Sequence, residues 1–248
     1  MILKRFSEAL RRQDWAMIAI EFALVVVGVL LAFQINEWAD ERASAGERQL
    51  SAERLLEEAE LTVAYNRQAV DYERHVLEGL SFASARIGTK AWQEAEEKRM
   101  TDGLAAARSM VALAPPSSVY EDVVSSGELN KIGTAATRAA ISRYRATLSF
   151  EERMRQQLQG PLGAYERIPA FRYTAHPEGK EKIRLVVDFS SLVRDQQAQQ
   201  VIALAAENHR ILVMLRTRAL MDSERMCVAL GSVVGRRCNR DLPPPRFD

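Results

Sequence analysis

Glu21 is the residue whose setting most invites chemistry. It stands in AIEFALVVVGVLLAFQINEW, Ala19 to Trp38, a run otherwise apolar until Gln34 and Asn36. A carboxyl group in such a run can bind or relay a proton, or meet a polar group on a second helix. Near the end of a span it can instead reach the headgroups, or take up a proton and do nothing further. At 100° per residue, Val25, Gly28 and Ala32 fall within about 40° of Glu21 on a helix. Gly28 and Ala32 are a small-xxx-small pair, the spacing that lets two membrane helices approach closely. Glu21, Val25, Gly28 and Ala32 therefore form a candidate helix-packing face. Gln34 points nearly the opposite way, and with Asn36 it marks the exit toward water. Trp15 and Trp38 bracket the run as interfacial aromatics do.

Other reactive groups are scattered. Cys227 and Cys238, in MCVALGSVVGRRC, lie close enough in the chain to pair in an oxidising compartment, with two glycines that let the chain turn back; they also read as two unrelated thiols. Their C-x10-C spacing matches no zinc or redox motif. His75, His176 and His209 are far apart, so no metal site is expected. SSGE, Ser125–Glu128, reads as the end of a helix rather than a nucleophile, and the acidic LLEEAE, Leu55–Glu60, as a solvated helix face. Arg236, Arg237 and Arg240 make a small basic cluster, solvated or turned toward lipid or an acidic partner. Phosphate loops and the motifs HExxH, GxSxG and CxxC do not occur. The expectation is a protein that is not an enzyme and uses no cofactor.

The elements that hold these groups follow from composition and pattern. The 248 residues carry 34 basic and 33 acidic side chains, a balance that argues against nucleic acid as a partner. Mean hydropathy is −0.20, so the apolar content is local. Trp15 to Ile35 would span about 31 Å as a helix, against a hydrocarbon core of roughly 30 Å. Twelve Leu, Ile, Val or Phe residues between Trp15 and Asn36 offer about 4–7 kcal/mol toward insertion, and one acidic residue costs about 3 kcal/mol at the centre and less near an end. ASA at Ala43–Ala45 has the spacing of a signal cleavage site, but it lies beyond the charged NEWADER, too far from the apolar run. Lys4, Arg5, Arg11 and Arg12 precede the run, while Arg42, Arg48 and Arg54 follow it. This bias puts the amino terminus in the cytoplasm.

The expected division is a basic segment over 1–14, a transmembrane helix over 15–38, a helical extramembrane domain over 39–241 and a tail over 242–248. The fold class is all-α. From Ala39 to about Ile87 the membrane helix should continue as a stalk, with Leu55, Ala59, Thr62, Asn66, Ala69, Glu73, Val76 and Leu80 on one face. Gly88–Lys90 reads as a turn before a helix over about Ala91–Met110. APPSS, Ala114–Ser118, is a break. A short helix over Val119–Ser126 ends at Gly127, and a long one over Thr134–Gln159 starts from Thr134 as N-cap. Leu162 to about Lys182 reads as an ordered loop or hairpin, and KIRLVVDF as a strand or a helix lead-in. The last helix runs from Ser190 or Ser191 to about Leu230, with Val201, Leu204, Ala205, Asn208, Leu212, Leu215 and Ala219 as its stripe. Long helices with short connections make an antiparallel bundle.

Two stretches resemble a known family. Ile20–Arg42 is similar to the opening of a family of uncharacterised bacterial single-pass membrane proteins, in which a Glu-led apolar helix ends Gln-Ile-Asn-x-Trp. Glu21, Gly28, Gln34, Ile35, Asn36 and Trp38 carry the likeness, with departures at Phe33 and Asp40. Ser117–Leu148 resembles a later stretch of the same family through Tyr120, Glu121, Ser126, Gly127 and Leu129. The resemblance implies a bacterial inner-membrane protein with a periplasmic domain, and it implies no reaction. The expected function is protein–protein interaction or self-assembly, with the bilayer and a second membrane helix as partners. The alternatives are a subunit of an ion-coupled assembly that uses Glu21, and a periplasmic sensor of a small ligand.

Overall fold

The computed structural model describes residues 15–160, 162–174 and 183–243. The basic segment 1–14 and the tail from 244 on lie outside these residues, as do the side chains of Trp15 and Glu21. The described chain is mostly helical. Helix α1 runs unbroken over Trp15–Thr89, 75 residues, and ends at Lys90, whose φ is +53°. The chain divides into two compact units, 1–50 and 51–248.

Within the second unit, four strands of chain run alternately up and down. The first is α1 from Ser51 onward. The second is α2, Glu94–Ala106, then an extended strap, then α3, Ser118–Ser125. It runs opposite to α1: Arg86 meets Glu96, Gly79 meets Gly103, the Tyr65 hydroxyl accepts from Ala114 N–H, and Glu58 accepts from Val119 and Tyr120. After a 3-10 turn over Glu128–Lys131 comes α4, Ala135–Gln159, the third member. Thr134 caps it, accepting from Thr137 N–H at 3.3 Å. The fourth is α7, Gln196–Val234, antiparallel to α4, with Thr147 bonded to Asp222 and Asn208 to the Leu158 carbonyl.

The expected single helix over Ala91–Met110 is therefore shorter. It stops at Ala106, and the carbonyls that follow accept from side chains of the other members: Ala107 O from His209, Met110 O from Arg155 and Gln159, Val111 O from Arg216. The all-α expectation also omits a hairpin. After α5, Leu162–Glu166, strands β1, Phe171–Thr174, and β2, Arg184–Val187, pair antiparallel with Phe171 opposite Val187. The described part of KIRLVVDF is thus a strand over Arg184–Val187 and then a cap at Asp188. Asp188 caps α6, Phe189–Leu192, and Asp195 caps α7 separately, which splits the expected last helix near its start. Hydrogen bonds from the Ser190 hydroxyl and from Ser191 hold the Asp188 carboxyl down at about 2.

Two apolar clusters fill the unit. One gathers Leu80, Met100, Leu104, Tyr165, Phe189 and Leu212; the other gathers Leu56, Val63, Ile132, Ile141, Cys227 and Leu230. Leu204, expected on the inner stripe of α7, is 48 % exposed, because the stripe turns through Ala205 and Ala206 instead.

Helices α1 and α2 cross with backbone against backbone. A Cβ on Gly103 would lie 3.0 Å from the Gly79 Cα and closer still to its carbonyl, and a Cβ on Gly79 would lie 3.0 Å from the Gly103 Cα. Neither backbone can yield as a flexible side chain would. Gly103→Ala should cost about 1–3 kcal/mol of stability, the range for overpacking, against a near-neutral Gly28→Ala control, where nothing lies within 4 Å. Urea unfolding of the two variants measures the difference; an unchanged midpoint for Gly103→Ala would refute the crossing.

Candidate functional site

The residues singled out at the amino end are laid out along α1. Val25 is 64 % exposed, Ala32 is exposed, and a Cβ on Gly28 would meet nothing. Around them Phe22, Leu24, Val27, Val29, Leu31 and Phe33 are each at least half exposed, on every side of the helix. Gln34 and Asn36 are exposed as well, and the Arg42 guanidinium lies 5.1 Å from the Trp38 ring centre. Among the described residues no helix is long and apolar enough to cross a membrane. The expectation of a transmembrane helix over 15–38 is corrected to that extent. The described side chains run continuously only from Phe22 to Trp38, and the groups that would lengthen the run, Trp15–Ala19 and Glu21, lie outside them.

The polar groups that the fold does assemble lie deep in the second unit. Arg216 of α7 is 2 % exposed and Glu73 of α1 is fully buried; Nη1 of Arg216 lies 3.0 Å from Glu73 Oε2. The guanidinium also donates to the Val111 carbonyl of the strap and, at 3.4 Å, to Ala69 O. Glu151 of α4, 1 % exposed, faces Arg216 Nε at 3.8 Å, and neither of its oxygens has a hydrogen-bond partner. His209, also fully buried, bonds Glu73 Oε1 through Nδ1 and the Ala107 carbonyl through Nε2 at 2.9 Å.

This geometry fixes the hydrogens. A carbonyl only accepts, so Nε2 carries a proton. One further proton must then lie between Nδ1 and Glu73, as imidazolium with carboxylate or as imidazole with carboxylic acid. Either way the His209–Glu73 pair is neutral, and Arg216 balances Glu151. Burial pushes the Glu151 carboxyl up, with Arg216 opposing. The cluster cannot process a substrate, since its members are at most 2 % exposed.

Sequence reasoning passed over this set, although a signal was present. Glu73 and Asn66 sit on the apolar stripe of α1, where a polar residue weakens the pattern. Each is there because it has a buried partner: Asn66 donates to the Tyr144 hydroxyl at 3.0 Å. Reading LLEEAE as a solvated face is likewise corrected. Glu58 and Glu60 are 7 % and 5 % exposed. Glu58 accepts the first N–H groups of α3, and Glu60 accepts from Arg236 at 2.5 Å and from Asn239 N–H at 2.7 Å.

Arg236 thus leaves the basic cluster to tie the carboxyl-terminal segment down. Cys227 and Cys238 are joined by a disulfide with their Cα atoms 5.6 Å apart. The return is possible because Gly235 takes φ +80° and a Cβ on Gly231 would meet Arg236 O at 2.6 Å. Ser126 of the SSGE stretch donates to the Val123 carbonyl within its own turn, and Gly127, φ +73°, follows as its left-handed end. Among the described residues no group of His, Cys, Asp and Glu could hold a metal ion.

No protein-family model, no curated protein and no solved structure matches the chain.

The pH dependence follows from the raised Glu151. A carboxyl whose folded value lies above its unfolded one supports the fold at low pH, and that support is lost as pH rises through the folded value. Glu151→Gln, which copies the neutral acid, should therefore gain stability relative to the parent from about the ordinary value of 4.5 upward. Denaturation midpoints of both proteins between pH 4 and pH 8 measure this. A difference that stays flat, or reverses sign, would rule out a buried, underbonded carboxylate at Glu151.

Proposed function

We propose that this is a membrane-anchored protein whose helical unit works by binding other proteins. The observation that carries the anchor is the exposure of Leu24, Val25, Val27, Val29, Leu31 and Phe33 around the whole circumference of α1. A helix apolar on all sides is stable only in a protein core or in lipid. Here those side chains are exposed. Adding Trp15–Glu21 restores the length that spans a hydrocarbon core of about 30 Å, and the helix is continuous through that segment.

The buried polar set supports the second half of the reading. The charged groups of the core are spent on fixing helices to one another, which leaves the outer faces of the bundle as the part that meets other molecules. The disulfide fits a compartment where thiols are oxidised. On the basic bias of the amino end and the family resemblance, that compartment is the bacterial periplasm, with the anchor in the inner membrane. The Glu21–Val25–Gly28–Ala32 face is the place for a second membrane helix.

Fractionation of the native host tests the anchor. The protein should stay with the membranes through an alkaline carbonate wash, and variants with Val27 and Leu31 both changed to Asp should be lost from them. In the same samples Cys227 and Cys238 should resist maleimide after denaturation and react only once reduced. Recovery of the parent protein in the soluble fraction would overturn the anchor. Thiols that label without reductant would overturn the compartment.

A further inference from the structure

Helix α7 carries an outer face that the bundle leaves uncovered. Met214, Met221 and Val228 are 63 %, 43 % and 44 % exposed and recur every seven residues. Between them stand Arg218 and Arg225, so the face reads Met, Arg, Met, Arg, Val at steps of four and three. That is the spacing of a coiled-coil seam. From Met214 to Val228 it is about 21 Å long.

Both arginines are held in place. Asp222, 1 % exposed, sits beneath the seam and takes Arg218 Nε at 3.1 Å and Arg225 Nη1 at 3.0 Å, with the Thr147 hydroxyl as a third donor at 2.8 Å. One carboxylate thus orients two guanidiniums, and the set keeps a net positive charge. Each guanidinium still has N–H groups to offer. The seam opens at each end into a cleft. At one end Phe150, 47 % exposed, and Met214 line about 520 Å³ with Arg143 and Arg218. At the other, Val228 lines about 480 Å³ with Arg237 and Arg240.

We propose that this face of α7 docks an amphipathic helix of a partner protein, one with apolar residues facing Met214, Met221 and Val228 and carboxylates facing Arg218 and Arg225. The charge pattern selects the occupant. A second copy of α7 laid parallel would set arginine against arginine, and laid antiparallel would bury arginine against methionine. Either arrangement strands a charge. An acidic helix satisfies both positions, and pairing with preset guanidiniums costs less ordering than pairing with free ones. The proposal rests on reading the helical unit as an interaction module, and it names the surface and the chemistry of the partner.

The test uses the full-length chain in lipid nanodiscs and a labelled probe helix of about four heptads, with Leu at one seam position and Glu at the other. A twin probe carries Lys in place of Glu, and empty discs give the blank. In fluorescence anisotropy the Glu probe should bind at least about tenfold tighter than the Lys probe, roughly the discrimination of one or two charge pairs. The double variant Met214→Ser, Met221→Ser should lose the Glu probe by at least about tenfold, with its circular dichroism unchanged because both side chains are exposed. Arg225→Ser should narrow the gap between the twins. Equal binding of the twins, or no binding of the Glu probe up to roughly 0.1 mM, would overturn the proposal. So would a native mass showing a dimer that Met221→Ser splits, since the face would then belong to a second copy. Membrane retention is read separately, so loss of the anchor and loss of docking are distinguishable.

Discussion

A guanidinium inside a helical bundle has to be answered by every element around it, and Arg216 organises this fold for that reason. It cannot shed its charge. Glu73 answers from α1, Glu151 from α4, the Val111 carbonyl from the strap and the Ala69 carbonyl from α1 again. Glu73 is the close partner at 3.0 Å, and removing it leaves the guanidinium charge buried in a medium that penalises it by several kcal/mol. Apolar packing alone would tolerate many registers of α7 against α1 and α4. The ion set tolerates one. His209 extends the constraint by about two turns along α7, where its two ring nitrogens tie Glu73 to the carbonyl just after α2.

The strap shows how this reaches the backbone. Residues 107 to 117 run without helix: Pro115 and Pro116 have no N–H to continue a helical ladder, and the carbonyls of Ala107, Met110 and Val111 accept from His209, Arg155 and Arg216. The second member of the bundle is therefore two short helices. Its lower half is held by Glu58 at the start of α3, and its upper half by the glycine crossing of α1 and α2. Glu60 does for the carboxyl-terminal return what Glu58 does for α3: a buried carboxylate collects a guanidinium and a backbone N–H that would otherwise lack a partner. The disulfide then fixes that return to α7.

Two exposed surfaces stand apart from this buried set. One is the apolar circumference of α1 between Phe22 and Trp38, with no charged residue but Glu37. The other is the alternating seam of α7. They differ in kind: the first is apolar on every side, while the second sets two guanidiniums held by Asp222 between exposed apolar side chains.

The sequence by itself determined what depends on local pattern. Helices α1, α4 and α7 follow from period and composition, the end of α1 from GTK, the break before α3 from APPSS, and the cap of α4 from Thr134. Those features are set within a few residues, where propensity and capping act. The transmembrane expectation over 15–38 rested on the same local pattern, and among the described residues no helix is long and apolar enough to cross a membrane. Tertiary structure decided the rest. Glu73, Glu151, His209 and Arg216 are separated by up to 143 positions and share no spacing; only the up-and-down path of the four members brings them together. Glu58 and Glu60 looked solvated because a run of acids carries no trace of the helix end and the arginine that fold onto it. The chain after α2 is tied by the same means, since its carbonyls accept from side chains of α4 and α7. Long-range contact settled each of these, because the free energy of a buried charge exceeds the local preferences that the sequence pattern records.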